Sequence, residues 1–441
     1  LYNLHYFDDL GRADAAGMRD AHSGLIARWI AENPPIRGTG WEPYPTSLRI
    51  VNWVKWAATG AALDQSARDS LALQLRVLRG RLEYHLMGNH LWSNAKALIF
   101  GGLYFEGPEA ARWLVKGMAI FRAELREQIL ADGGHFERSP SYHALALEDL
   151  LDLINMMRAA GLEPDVSFGE AAARMMRWLA VMTDAQGHYI AWNDAPRGVA
   201  PEMSQLQPYF AALGMVEENR IVPGLHALPE TGYFRFERRN YTLWVDAGPI
   251  GPDYLPGHAH ADTLNFELHA GGRPLVTDVG VSTYEANSVR AYERGTSAHN
   301  TVQIGDFDQS EVWGGFRVGR RAYIVDRISS GDSLSAAHTG YHWLGTMHAR
   351  SFTAGEGSID ITDTLTPSRA GIARIHLAAG LRPVRIPSGF AVEGIRFTFS
   401  GHETLAFSEY PFARGFNDLQ PSIVATVTFT GRLETRIELP R

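Results

Sequence analysis

The 441-residue chain contains no cysteine, which excludes disulfides and thiol catalysis. That absence does not fix a compartment, because a cysteine-free protein tolerates oxidising and reducing surroundings alike. No apolar run approaches the roughly 18 residues of a membrane-spanning helix, so no membrane span is predicted. Positive charge is also short: 41 Lys and Arg stand against 49 Asp and Glu, a net of -8, which argues against a nucleic-acid partner and its need for a basic face. A polyanionic substrate would require a local basic cleft to overcome the global repulsion.

Hydrophobic residues at 45% and charged residues at 20% describe an ordinary globular protein. The length exceeds that at which single cores usually stop growing, so two domains are expected. The chain opens at Leu1 inside an already formed apolar-aromatic phrase, LYNLHYFDDL, and is read as trimmed or processed ahead of it.

From about residue 20 to 225 the pattern is helical. SLALQLRVLRGRLEYHL, EAARWLVKGMAIFRAELREQIL and EAAARMMRWLAVM repeat apolar residues at spacings of three and four, and several such runs stop at glycine. Between them lie aromatic and polar loops, RGTGWEPYPTS, HLMGNHLWSN, DGGHFERSPSYH and AWNDAPRG, the rhythm of a helical array whose loops gather on one rim. After GLHALPETG the texture changes to alternating polar and apolar residues, as in YFRFERRNYTLWVDAG and SIVATVTFTGRLETRIEL, which predict antiparallel strands in a sandwich. The expected domains are therefore 1–228, helical, and 229–441, an antiparallel β-sandwich.

Four groups of residues point to chemistry. In PGHAHADTLNFEL, His258 and His260 are two apart, and an extended strand would aim both at one face with Asp262, Leu264 and Phe266. His258 or His260, with Asp278 and His299, supplies two imidazoles and a carboxylate, a set that suits zinc. In GNHLWSN, Asn89 and His90 lie at a loop-to-helix junction beside Trp92, and Asn89 or Asn94 is also a natural helix cap. In GGHFERSPSYH, Ser139 or Ser141 near Pro140 opens a helix, placing Tyr142 and His143 in its first turn, with Arg138 near enough to lower the phenol's pKa. Glu137, Glu148, Asp149 and Asp194 must be weighed as a carboxylate pair for glycoside hydrolysis.

Together LYNLHYFDDL, GNHLWSNAKAL, DGGHFERSPSYH, GHAHADTLNFEL with VTDVG after it, and ERGTSAHNTV resemble the heparinase II/III-like polysaccharide lyases. The resemblance covers nearly the whole chain. It implies an (α/α) toroid followed by an antiparallel β-sandwich, with a catalytic cleft between them. It also implies Asn89, Tyr142 and His258 as catalytic residues, and His260, Asp278 and His299 as ligands of one structural divalent ion, zinc first, manganese or calcium as alternatives. The implied reaction is β-elimination on an anionic, uronate-containing polysaccharide, a glycosaminoglycan or a bacterial polymer, in the periplasm or outside the cell. Asn89, with His90 or Arg138, would polarise the uronate carboxylate, while Tyr142, or Tyr142 with His258, would move the protons. His90, Trp92, Arg138, His143, Trp192 and Arg294 are the candidate substrate contacts, and Trp41, Trp313 and Arg317 are further platforms and charges. The rival readings are a glycan-binding or polysaccharide-biosynthesis accessory protein, and a hydrolase using paired carboxylates.

Overall fold

The computed structural model describes residues 2–216 and 220–440. By compactness the chain divides into two units, one made of residues 1–129 and 148–170, the other of 130–147 and 171–441. The first strand begins at Gly224, close to the predicted change of texture.

The first unit is helical, and the sequence says why. Helix Gln65–Arg79 is capped by Asp64, whose carboxylate accepts the Ala67 N–H at 2.7 Å; it buries Leu71, Leu75 and Leu78 along one stripe and carries Arg76 and Arg79 in its last turn. Each fully buried leucine contributes about 1.5–3 kcal/mol over an exposed one. Helices Gly88–Tyr104 and Pro108–Gln128 form a hairpin across a three-residue turn that ends at Gly107. They approach closely where side chains are missing: a Cβ on Gly102 would lie 2.6 Å from the Leu114 nitrogen, and one on Gly117 2.9 Å from the Ala95 oxygen. A larger residue at either point would force the pair apart.

The second unit contains the N-terminal turns of helix Pro140–Ala159, two large antiparallel sheets and a small two-stranded one. A five-stranded sheet runs Gly224–Leu228, Tyr233–Glu237, Tyr241–Asp246, Phe266–Ala270, Arg273–Val276, each strand bonded to the next. A ten-stranded sheet includes Met347–Ala354, Ser358–Thr366 and the 21-residue strands Ile395–Gly415 and Asp418–Glu438. Phe236, Leu243 and Leu268 of the first sheet and Phe352, Ile361 and Val427 of the second share one core, which makes the pair a sandwich. Ser358–Thr366 buries every second residue. One of its inward positions is Asp363, which Arg350 and His348 satisfy at 2.7 Å each.

The expected strand over the paired histidines is overturned. The ladder starts only at Phe266, and Leu264 adopts a left-handed φ of 65°, so residues 256–264 form a loop and His258 and His260 do not share a strand face. The reason is local competition: the Ala261 N–H bonds the Arg294 carbonyl and the Asn265 N–H turns back on Asp262, leaving no ladder to extend.

Candidate functional site

Three loops of the second unit are stitched together by side chains that seize backbone carbonyls. Ser139 caps helix Pro140–Ala159, its carbonyl receiving the His143 N–H at 2.9 Å. The Ser139 and Ser141 hydroxyls also donate to the Asp194 carbonyl at 2.6 and 2.9 Å. Asn193 donates to the Arg138 carbonyl at 3.1 Å and accepts the His260 N–H at 2.9 Å, while the Asp194 N–H bonds the His258 carbonyl at 3.0 Å. Arg138, Asn193 and Leu264 all hold left-handed backbone, which costs a non-glycine residue roughly 1–3 kcal/mol and persists only where surroundings dictate it.

This framework brings Tyr142 and His258 into face-to-face contact, ring centroids 3.9 Å apart and planes 20° from parallel. His258 Nδ1 is hydrogen-bonded to the buried carboxylate of Glu137, leaving Nε2 as the nitrogen available for chemistry. Burial opposes charge on both partners, but each stabilises the other's ion: the Glu137 carboxyl is held below its usual value and the His258 imidazole above its own. Phe316 meets His258 edge-on at 5.7 Å, Tyr284 meets Phe316 at 5.5 Å, and the Tyr284 hydroxyl bonds that of Tyr142, closing a circuit of four rings. Burial, with Asp194 nearby, pushes the Tyr284 phenol far up, so it stays protonated.

The first unit holds a cluster of similar logic. Helix Gly88–Tyr104 begins at Gly88, after Met87 in a left-handed conformation, which puts Asn89 and His90 in its first turn. His90 Nδ1 contacts Glu83 at 3.2 Å and its ring lies 4.6 Å from that of Tyr44, whose hydroxyl is bonded to Asn89. Asn94 is no cap: it is buried in mid-helix, holding the Glu83 N–H and carboxylate at 2.9 Å each.

Residues 220–439 match the family model for the heparinase II/III-like C-terminal region, and residues 76–207 that for the heparinase II/III N-terminus. The chain belongs to the heparinase II/III-like family. A heparin-sulfate lyase of Bacteroides stercoris is 29% identical over 255 residues, 52% of this chain and 37% of that protein. The FtsZ-localized protein C of Caulobacter vibrioides is 25% identical over 365 residues, 79% of this chain and 61% of that protein. This chain therefore spans between about a third and three-fifths of the length of these relatives. The crystal structure of heparinase III superposes with a TM-score of 0.79 at 19% identity, covering 99% of this chain and 76% of the other. That likeness shows the fold, a helical toroid-type region followed by an antiparallel sandwich.

Several substrate contacts expected of this heparinase II/III-like chain are corrected by burial. Trp41, Trp92 and Trp192 are buried, Trp92 against Phe121 and Trp192 against Tyr233, so none offers a face to a sugar. His143 is fully buried, stacked on Trp178 and bonded to the Met175 carbonyl. The Arg138 guanidinium is spent on the carbonyls of Phe136, Thr231 and Glu230, and that of Arg294 on Ala259 at 3.0 Å. These two arginines shape the loops instead of meeting a ligand. His90 stays partly exposed. The sequence reading missed Glu137 as a partner of His258, together with Asn193, Tyr284, Phe316 and Arg290, a buried arginine that grips both carboxylate oxygens of Asp194. Glu137 carried a signal, since it lies in the same phrase as Tyr142, but only the fold shows which histidine it meets.

The donor set expected to hold a metal consists of two imidazoles and a carboxylate, which suits zinc. His260 Nε2 bonds Asp194 at 2.9 Å and His299 Nδ1 bonds Asp278 at 2.7 Å, with the two rings 5.4 Å apart. Burial pushes His260 down to about 4, so it stands neutral, as a ligand must. The remaining nitrogens, His260 Nδ1 and His299 Nε2, are buried without a partner, as is Asp262 Oδ2. Such orphaned atoms are what an ion would satisfy. Among the described residues no group of three His, Asp or Glu side chains is already arranged to hold an ion. The residues thus fit a metal in donor type, with Asp262 an additional candidate that the sequence reading passed over.

Proposed function

We propose that the protein is a polysaccharide lyase that cleaves an anionic, uronate-containing polysaccharide by β-elimination. The observation that carries this reading is the Glu137–His258–Tyr142 arrangement, two proton-transfer groups face to face with one of them fixed by a buried carboxylate. Relatives named heparin-sulfate lyases support it. In the reaction a base takes the C5 proton, the freed electrons form the C4–C5 double bond, and the C4–O bond breaks as the departing oxygen gains a proton. No water is consumed. His258 Nε2 serves as base when the two groups lie on opposite faces of the sugar, and Tyr142 serves as acid, or as both when they lie on one face. The family resemblance assigns the carboxylate to Asn89, with His90 beside it as a second donor. His260, Asp278 and His299 would hold a divalent ion, zinc by donor type, bracing the loop that presents His258.

Paired-carboxylate hydrolysis is disfavoured because three of its four candidate carboxylates are engaged, Glu137 with His258, Asp194 with Arg290 and His260, and Asp149 with Lys96 at 2.6 Å, so that Glu148, raised by burial, has no free partner among them. The accessory reading draws on the relative whose name refers to FtsZ and not to an activity. Purified protein mixed with heparan sulfate, chondroitin, hyaluronan, alginate and gellan separates the three by product, followed as ultraviolet absorbance of the unsaturated uronate. A rise on one polymer supports the lyase; saturated reducing ends identify a hydrolase; no product on any, with the fold intact, leaves binding alone. The proposed place of action is the periplasm or the outside of a bacterial cell, where such polymers are met; among the described residues no helix is long and apolar enough to cross a membrane.

A further inference from the structure

Beside His258 stands a two-stranded hairpin, Val312–Trp313 paired with Arg317–Val318 across Gly314, Gly315 and Phe316. Trp313 and Arg317 are direct register partners, so their side chains leave the hairpin on the same face. Both are exposed, Trp313 at 51%. The arginines just after the hairpin are engaged: Arg320 donates to the Gly340 carbonyl at 2.7 Å and Arg321 to Asp253 at 3.0 Å. Phe316 at the tip is 44% exposed although its edge rests on His258.

The hairpin is not a loose surface loop. Its Gly315 carbonyl accepts both Nε and Nη2 of the buried Arg290, at 3.1 and 2.9 Å, and the same guanidinium grips Asp194. The fold thus fixes two large exposed aromatics and an unengaged cation within a few residues, next to the proton-transfer pair. Leaving such apolar area in water has a cost that a ligand would recover.

We infer that this hairpin is a binding subsite for an acidic pyranose of the polymer adjoining the cleavage point. Trp313 stacks on the apolar face of the ring, Arg317 pairs with its carboxylate or sulfate, and Phe316 walls the passage toward His258. A planar guanidinium beside an aromatic plate matches a sugar that is apolar on its faces and anionic at its rim. Its placement next to the chemistry rests on the proposed lyase reading, but its test is binding.

Trp313→Ala and Arg317→Ala, both at exposed positions, would be combined with Tyr142→Phe to stop turnover and titrated calorimetrically with hyaluronan, heparan sulfate and neutral cello-oligosaccharides of equal length. Each variant is expected to weaken acidic oligosaccharides about tenfold, and Arg317→Ala to flatten the salt dependence, with neutral sugars bound weakly throughout. Loss on hyaluronan and heparan alike identifies the carboxylate as the partner of Arg317; loss on heparan alone identifies sulfate. Affinities within twofold of the Tyr142→Phe parent, or no binding of any acidic oligosaccharide by that parent, would overturn the subsite. If the unmodified protein makes no unsaturated product yet these variants still lose binding, the lyase reading falls and the subsite stands.

Discussion

Replacing Glu137 by glutamine separates the charge of that carboxylate from its shape. The side chain is buried, its partner is His258 Nδ1, and its charge is sustained by that partner against the penalty of burial. If His258 takes the C5 proton at Nε2, positive charge grows on the imidazole as the barrier is climbed, and a negative Glu137 stabilises it where an amide cannot. A hydrogen bond to a charged group is worth about 1.5–3 kcal/mol. At about 1.4 kcal/mol per tenfold in rate, kcat should fall by roughly 10- to 150-fold. Glu137 is too buried to reach a polymer, so KM should move little. The assay is the initial rate of unsaturated-uronate absorbance on the preferred polymer, with circular-dichroism melts to confirm that the isosteric variant folds. A kcat within twofold of the parent would refute the reasoning and leave the proton transfers to Tyr142 alone.

Tyr142→Phe should reduce turnover below detection while the fold is kept, since the ring retains its stack on His258 and only the bond to the Tyr284 hydroxyl is lost, about 1 kcal/mol; near-normal product formation removes the phenol from the mechanism. His260→Ala should lower bound zinc, measured by elemental analysis, and destabilise by about 1–3 kcal/mol as buried Asp194 loses a partner; an unaltered metal content refutes the ligand assignment. Burial would raise Asp363, but Arg350 and His348 hold it down at about 2. A depressed carboxyl stabilises the fold fully above its unfolded value near 4 and progressively less as pH falls toward 2, so this side chain should contribute on the order of 2 kcal/mol at neutral pH that is lost in acid. Urea unfolding at pH 7 and pH 3 checks it; Asp363→Asn should remove that part of the acid sensitivity, and an unchanged difference between the two pH values contradicts the assignment.

Much of the fold was legible because its signals are local. Leu71, Leu75 and Leu78 announce a helix face by spacing, and Ile359, Ile361 and Leu365 announce a strand face by alternation. The site was legible only as residue types. Tyr142 and His258 could be named, but the 115 residues between them hide the stack that joins them. Alternation failed at His258 and His260 because the decisive partners, the carbonyl of Arg294 and the side chain of Asn193, lie far along the chain. Trp192 and Arg294 misled for a related reason: tryptophan and arginine suit sugar binding in composition, and only tertiary packing shows that both are buried.

The stitching of the 138–142, 193–194 and 256–264 loops has a consequence for redesign. Because Asn193 reads one loop's carbonyl and another's amide, and the Asp194 backbone accepts serine hydroxyls from one loop and donates to a carbonyl of the other, no one of these loops is a transplantable part. A graft of the histidine loop from a relative would arrive without the carbonyl acceptors and left-handed turns that set its course. Specificity is more safely exchanged at the Trp313–Arg317 hairpin, which is held at its tip through a backbone carbonyl that any sequence supplies.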